Sequence, residues 1–118
     1  MSDFDSAGHE DIRTYIQNNW PFVALVDDSG TEVTRIDVNN DSRASWSSGP
    51  TSNPLEITIT ITGGDSDMPA LPVTFAWSES YKTSGSSTRM APDPFTNATL
   101  EAPADELTLT HQIEHPPQ

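Results

Sequence analysis

A mainly β, α+β fold is predicted: an antiparallel β-sandwich or small barrel with one N-terminal helix and a long polar hairpin. Three observations predict it. Leu55, Ile57, Ile59 and Ile61 alternate with Glu56, Thr58, Thr60 and Thr62, the period of a strand with one buried and one wet face. Further short apolar segments follow one another between turns rich in Pro, Gly, Asp and Ser, with no helical period between them, which favours antiparallel strands over βαβ units. Helical spacing occurs only near the start. The 118 residues support one domain, 1–118. It divides into a polar N-terminal arm (1–9), a helix (10–20), a β body (22–113) and a C-terminal tail (114–118).

The helix comes first. Ile12 and Ile16 stand four apart, with Tyr15 and Trp20 flanking. Glu10 and Asp11 are placed in the first turn, where the helix dipole favours them. Asn18 and Asn19 suit the end, and Pro21 stops continuation. So short a helix must dock its Ile12/Ile16/Trp20 face on a sheet. Phe22 to Val26 reads as a buried strand, and Asp27-Asp28-Ser29-Gly30 as a turn. Glu32 to Val38 returns as the second arm of a hairpin. Asn39-Asn40-Asp41 turns again, and a third strand centres on Trp46. Ser48 to Pro54 is a loop punctuated by two prolines.

The alternating segment at 55–62 follows, ended by Gly63-Gly64-Asp65-Ser66-Asp67. A second alternating strand runs through Val73, Phe75 and Trp77. Thr83 to Thr88, flanked by Lys82 and Arg89, reads as a mobile polar tip. Pro92 and Pro94 are expected to break the chain, with a weak strand near 98–100. Leu107, Leu109, His111 and Ile113 form the last strand. The predicted core is Ile12, Ile16, Trp20, Val23, Leu25, Ile36, Val38, Leu55, Ile57, Ile59, Ile61, Val73, Phe75, Trp77, Leu107, Leu109 and Ile113.

Charge is the strongest compositional signal. Eighteen acidic residues face five basic ones, for a net charge of −13, and Lys82 is the only lysine. Leu, Ile, Val and Phe make only 22 of the 118 residues, so the core is thin. Such a chain repels itself. The Debye length is about 30 Å at 0.01 M salt but about 3 Å at 1 M, so concentrated electrolyte removes most of the penalty. A polyanion such as DNA is a disfavoured direct partner, because phosphate contacts need clustered Lys and Arg. Cysteine is absent, so neither disulfides nor thiolate chemistry is available. No signal peptide or membrane-spanning run is read, and the chain is expected to be made in the cytoplasm.

Chemistry-bearing patterns are few. His111 and His115 are four apart, but in a strand that spacing is about 13 Å, too far for a shared metal. His111 is expected to be partly exposed and His115 to lie in the tail. Asp65-Ser66-Asp67 and Asp27-Asp28 lack the calcium-loop spacing and read as turn chemistry. No phosphate loop, nucleophile elbow or zinc signature occurs. Neither catalytic residues, a cofactor nor a metal is predicted, and the chain is read as a non-enzyme. The Asn-x-Ser/Thr matches at Asn40 and Asn97 are treated as accidental without an export signal. Trp46 and Tyr81 are read as open aromatics, whereas Trp77 sits on the core phase. The residues expected at a subunit interface are Trp46, Tyr81, Lys82, Arg89, Met90 and Phe95.

Abundant Asp, Glu, Ser and Thr, one lysine and few large aliphatics make the whole chain resemble haloarchaeal proteins. A helix ended by Trp20-Pro21, followed by a β-rich body with a polar hairpin, resembles the small head–tail connector, stopper, tail-completion and tail-terminator proteins of tailed viruses. The terminators carry a second helix between late strands, where Pro92 and Pro94 stand here. The resemblance implies a structural virion protein of a haloarchaeal tailed virus, a neck or tail ring component. Its partners would be copies of itself (a homo-oligomer) and neighbouring structural proteins, with no direct DNA or membrane contact. The alternative is a halophilic cellular β-sandwich module that binds a peptide or carbohydrate.

Overall fold

Residues 4–116 are described by the computed structural model, which places seven strands after one helix. The order is α1 (Ser6–Asn19), β1 (Phe22–Asp27), β2 (Glu32–Asp37), β3 (Ala44–Ser48), β4 (Leu55–Thr62), β5 (Val73–Tyr81), β6 (Ala91–Leu100) and β7 (Glu106–Ile113). The strands form two antiparallel sheets, β2-β1-β5-β6 and β3-β4-β7. The sandwich, with its single helix, is the fold class read from the sequence.

Strand β4 behaves as its alternation requires: Leu55, Ile57, Ile59 and Ile61 are fully buried and its threonines are half-exposed. Ile57, Ile59 and Ile61 meet Val23, Leu25, Ile36, Val73, Phe75, Leu100 and Leu109 in one inter-sheet core. A smaller cluster closes one end of the sandwich. There Ile16 packs with Leu55 and Ile113, and Ile12, Trp20, Trp46 and Ala91 fill in around them. The helix therefore caps the sandwich end through the expected face.

Helix α1 starts at Ser6, not Glu10, after Asp5 in extended conformation. Glu10 and Asp11 thus lie beyond the first turn, and most of the described part of the expected arm (residues 4–9) is helical; residues 1–3 and 117–118 lie outside the described range. Arg13 is buried in the dock. Its Nε donates to Pro50 O at 2.6 Å and its NH1 to His115 O at 2.5 Å. Asn53 completes the clasp, accepting from His115 N at 3.0 Å and donating to Pro116 O at 2.9 Å. The tail is thereby fixed to the helix and to the β3–β4 loop.

Strand β6 corrects a second expectation. Pro92 and Pro94 do not break the chain; the strand runs from Ala91 to Leu100 and pairs with β5. It is an edge strand, where an N–H facing away from the sheet can be lost without breaking the ladder. The two prolines also remove two backbone donors that a further strand could use.

Opposite the helix, the 28–31, 63–72 and 101–105 connections meet. Gly63 N donates to Asp105 O and Gly64 N to Pro103 O. A Cβ on Gly63 would stand 2.3 Å from Ala102 O. That oxygen belongs to backbone, so it cannot swing aside. Gly63→Ala is expected to destabilise by about 2 kcal/mol, read by chemical denaturation in molar KCl.

Candidate functional site

The site is built by one extra residue. Against β1, strand β5 advances from Phe75 to Trp77 while β1 moves only from Asp27 to Val26, a bulge at Ala76. A bulge reverses the side-chain phase beyond it. Val73 and Phe75 face the core, but after the bulge Ser78 and Ser80 do. Trp77, Glu79 and Tyr81 consequently form a row on the outer face. Trp77 is half-buried there and absent from the core, which corrects the expectation that it continues the Val73/Phe75 face.

Glu79 is the hub of that row. Its carboxylate accepts from Trp77 Nε1 at 2.9 Å, Tyr81 OH at 2.5 Å and Arg89 NH1 at 3.0 Å. Burial alone would raise its pKa, but the bonds from Tyr81, Trp77 and Arg89 outweigh that and hold it below the ordinary glutamate value. Burial, with the Glu79 carboxylate beside it, pushes the Tyr81 phenol up to about 12. Arg35, on β2, lies over the Tyr81 ring at 3.6 Å, a cation–π arrangement. Its NH1 donates to the carbonyls of Thr83, Ser84 and Ser86, and its NH2 to Glu32 at 2.7 Å. The 83–88 tip expected to be mobile is therefore strapped down by one guanidinium.

Four of the six predicted interface residues come together here. Tyr81, Lys82, Arg89 and Met90 lie at or beside the tip, Lys82 and Arg89 exposed and Met90 half-buried. Tyr81 is 6% exposed, with Arg35 over its ring and Glu79 at its hydroxyl, not an open aromatic. Trp46 and Phe95 are elsewhere, half-buried against the core. Sequence reading missed Arg35, Glu79 and Trp77 as members. The signal was the Trp77-x-Glu79-x-Tyr81 spacing, which marks one strand face once the phase is known.

Next to the tip, Ile16, Trp20, Met90, Ala91, Asp93, Ile113 and His115 line a groove of about 460 Å³. Asp93 accepts from Gln112 N at 2.7 Å and links the two sheets there; burial raises its pKa. His9 Nδ1 and His115 Nε2 stand 3.2 Å apart near the same end. Burial, then the neighbouring His9 and Arg13, lower the His115 pKa.

Two other polar clusters lie inside or beside the sandwich. His111 is fully buried, correcting the expectation of partial exposure, and its Nδ1 is 2.6 Å from Ser78 Oγ. Among the described residues its Nε2 has no hydrogen-bond partner. At the other cluster, Arg43 bonds Asp41, Asp65 and Asp67 over 2.7–3.2 Å. Thr34 also donates to Asp67 at 2.5 Å. The Asp65-Ser66-Asp67 carboxylates thus surround a guanidinium. Among the described residues, no group of three or more His, Asp or Glu side chains is arranged to hold a metal, and no helix is long and apolar enough to cross a membrane.

The chain matches no protein-family model, no curated protein and no solved structure.

Proposed function

We propose that this chain is a structural subunit that works by binding copies of itself and neighbouring proteins, as a neck or tail component of a haloarchaeal tailed virus. One observation carries the reading. The loop that carries the strapped 83–88 tip presents Lys82 and Arg89 to solvent from a surface that is otherwise mostly acidic. A fixed loop loses little conformational freedom on docking, and its cations suit the acidic surface of another subunit. Arg89 is 54% exposed while its partner Glu79 is 12% exposed, so the guanidinium still has a free side. The anionic body accords with a partner set that excludes DNA and with a salt-rich host cell.

Native mass measurement in molar KCl should give an oligomer. The Lys82→Glu/Arg89→Glu double variant should shift it towards monomer at least tenfold in concentration dependence. A wild-type monomer at high protein concentration would count against the assignment.

The groove favours a second reading, a module that binds a peptide or carbohydrate. Asp93 and Glu114 border its apolar floor. That reading expects a small ligand to raise the melting temperature of a monomer.

A further inference from the structure

We propose that His9 and His115 form a two-imidazole binding site for a first-row transition dication such as Zn²⁺, its remaining positions filled by solvent. The site joins the start of the helix to the C-terminal tail.

The geometry supports this in two separate distances. Two nitrogens held at roughly 2.0–2.1 Å from a tetrahedral ion stand about 3.3 Å apart; His9 Nδ1 and His115 Nε2 are 3.2 Å apart. A shared ion also bends the pair, bringing the ring centres to about 5.2 Å, whereas two rings in line along an N–H···N bond would sit about 5.5 Å apart. The observed centroid separation is 5.1 Å, with the planes at 61°. The rings are therefore bent off the N···N line, as a shared ion requires.

The backbone that carries each ring is also held in place. His115 N donates to Asn53 Oδ1 and its carbonyl accepts from Arg13, so the backbone of residue 115 is fixed from both sides. His9 sits on α1, and the Phe4 ring lies 5.4 Å from it. Little reorganisation is then needed on binding. Imidazole nitrogen suits zinc, copper and nickel, whereas magnesium prefers oxygen. Arg13 beside His115 opposes a cation, which places the site in a moderate range of affinity, with the −13 net charge acting the other way. His9 and His115 are both only partly buried, and His115 also lines the groove.

The test uses the whole chain in molar KCl with Zn²⁺ as probe and Mg²⁺ as control. Millimolar Zn²⁺ should raise the melting temperature by about 3 °C, and Mg²⁺ should not. His9→Ala and His115→Ala should each abolish the zinc shift; equilibrium dialysis of the same variants should lose one bound Zn²⁺ per chain. His111→Gln, remote from the pair, should keep both responses. A zinc shift no larger than that of magnesium overturns the proposal. So does a shift or a bound ion that survives both alanine variants, since that would be carboxylate association alone.

Discussion

Acidification from pH 6.5 to about 4 is expected to remove about 3 kcal/mol of stability through His111 alone. Its imidazole is sealed between the sheets, and burial lowers its pKa from 6.5 to about 4. In that window the unfolded chain takes up a proton that the folded one refuses. Stability therefore falls as pH falls from 6.5, and this contribution levels off below about 4. Denaturation midpoints measured across the window in molar KCl would show the slope. His111→Leu should flatten it by that amount, although the variant leaves Ser78 without its imidazole partner. Asp41, Asp65, Asp67 and Glu79 have pKa values below the ordinary carboxylate range, so their contributions are lost at lower pH. An equal slope in wild type and His111→Leu would show that the ring is not the responsible group.

Replacing Arg43 by methionine is expected to cost about 3 kcal/mol in dilute salt. Three carboxylates would then face each other with no cation between them. Bonds from Arg43 hold Asp41 and Asp67 below the ordinary aspartate range; at Asp65 burial acts upward, and Thr62 and Arg43 overcome it. The side chains are about a fifth to a third exposed, so solvent already weakens each pair. The loss should shrink in molar KCl, where carboxylate repulsion is screened. Arg43→Lys should recover only part of it, because an ammonium cannot match the planar fork that reaches all three partners. Equal midpoints for wild type and Arg43→Met at low salt would make the cluster a surface feature without energetic weight.

Much of the architecture was legible from residue periodicity. The 55–62 alternation gave β4 and its buried face, and Ile12, Ile16 and Trp20 gave the face on which the helix docks. The Asp27 turn closes as its residues imply, with Asp27 Oδ1 accepting from Ser29 N and Thr31 N. What failed were features decided by position in the sheet. Proline reads as a breaker locally, yet β6 lies at an edge, where Pro92 and Pro94 are tolerated. Alternation carries no marker for a bulge, so Trp77 was assigned to the wrong face and Glu79 escaped notice. His111 stood on the apolar phase of its strand yet was expected to be partly exposed; Ser78, which partners it, is 33 residues away. The candidate site was half legible: the cations flanking the tip stood out, whereas Arg35, which straps it, reaches across from another strand.

The bulge at Ala76 makes chain length, and not only side-chain identity, a constraint at that point. Removing a single residue there would turn the end of β5 inside out, driving a carboxylate and two large rings into the core and two serines into water. This stretch of strand should therefore keep its residue count even where its side chains vary.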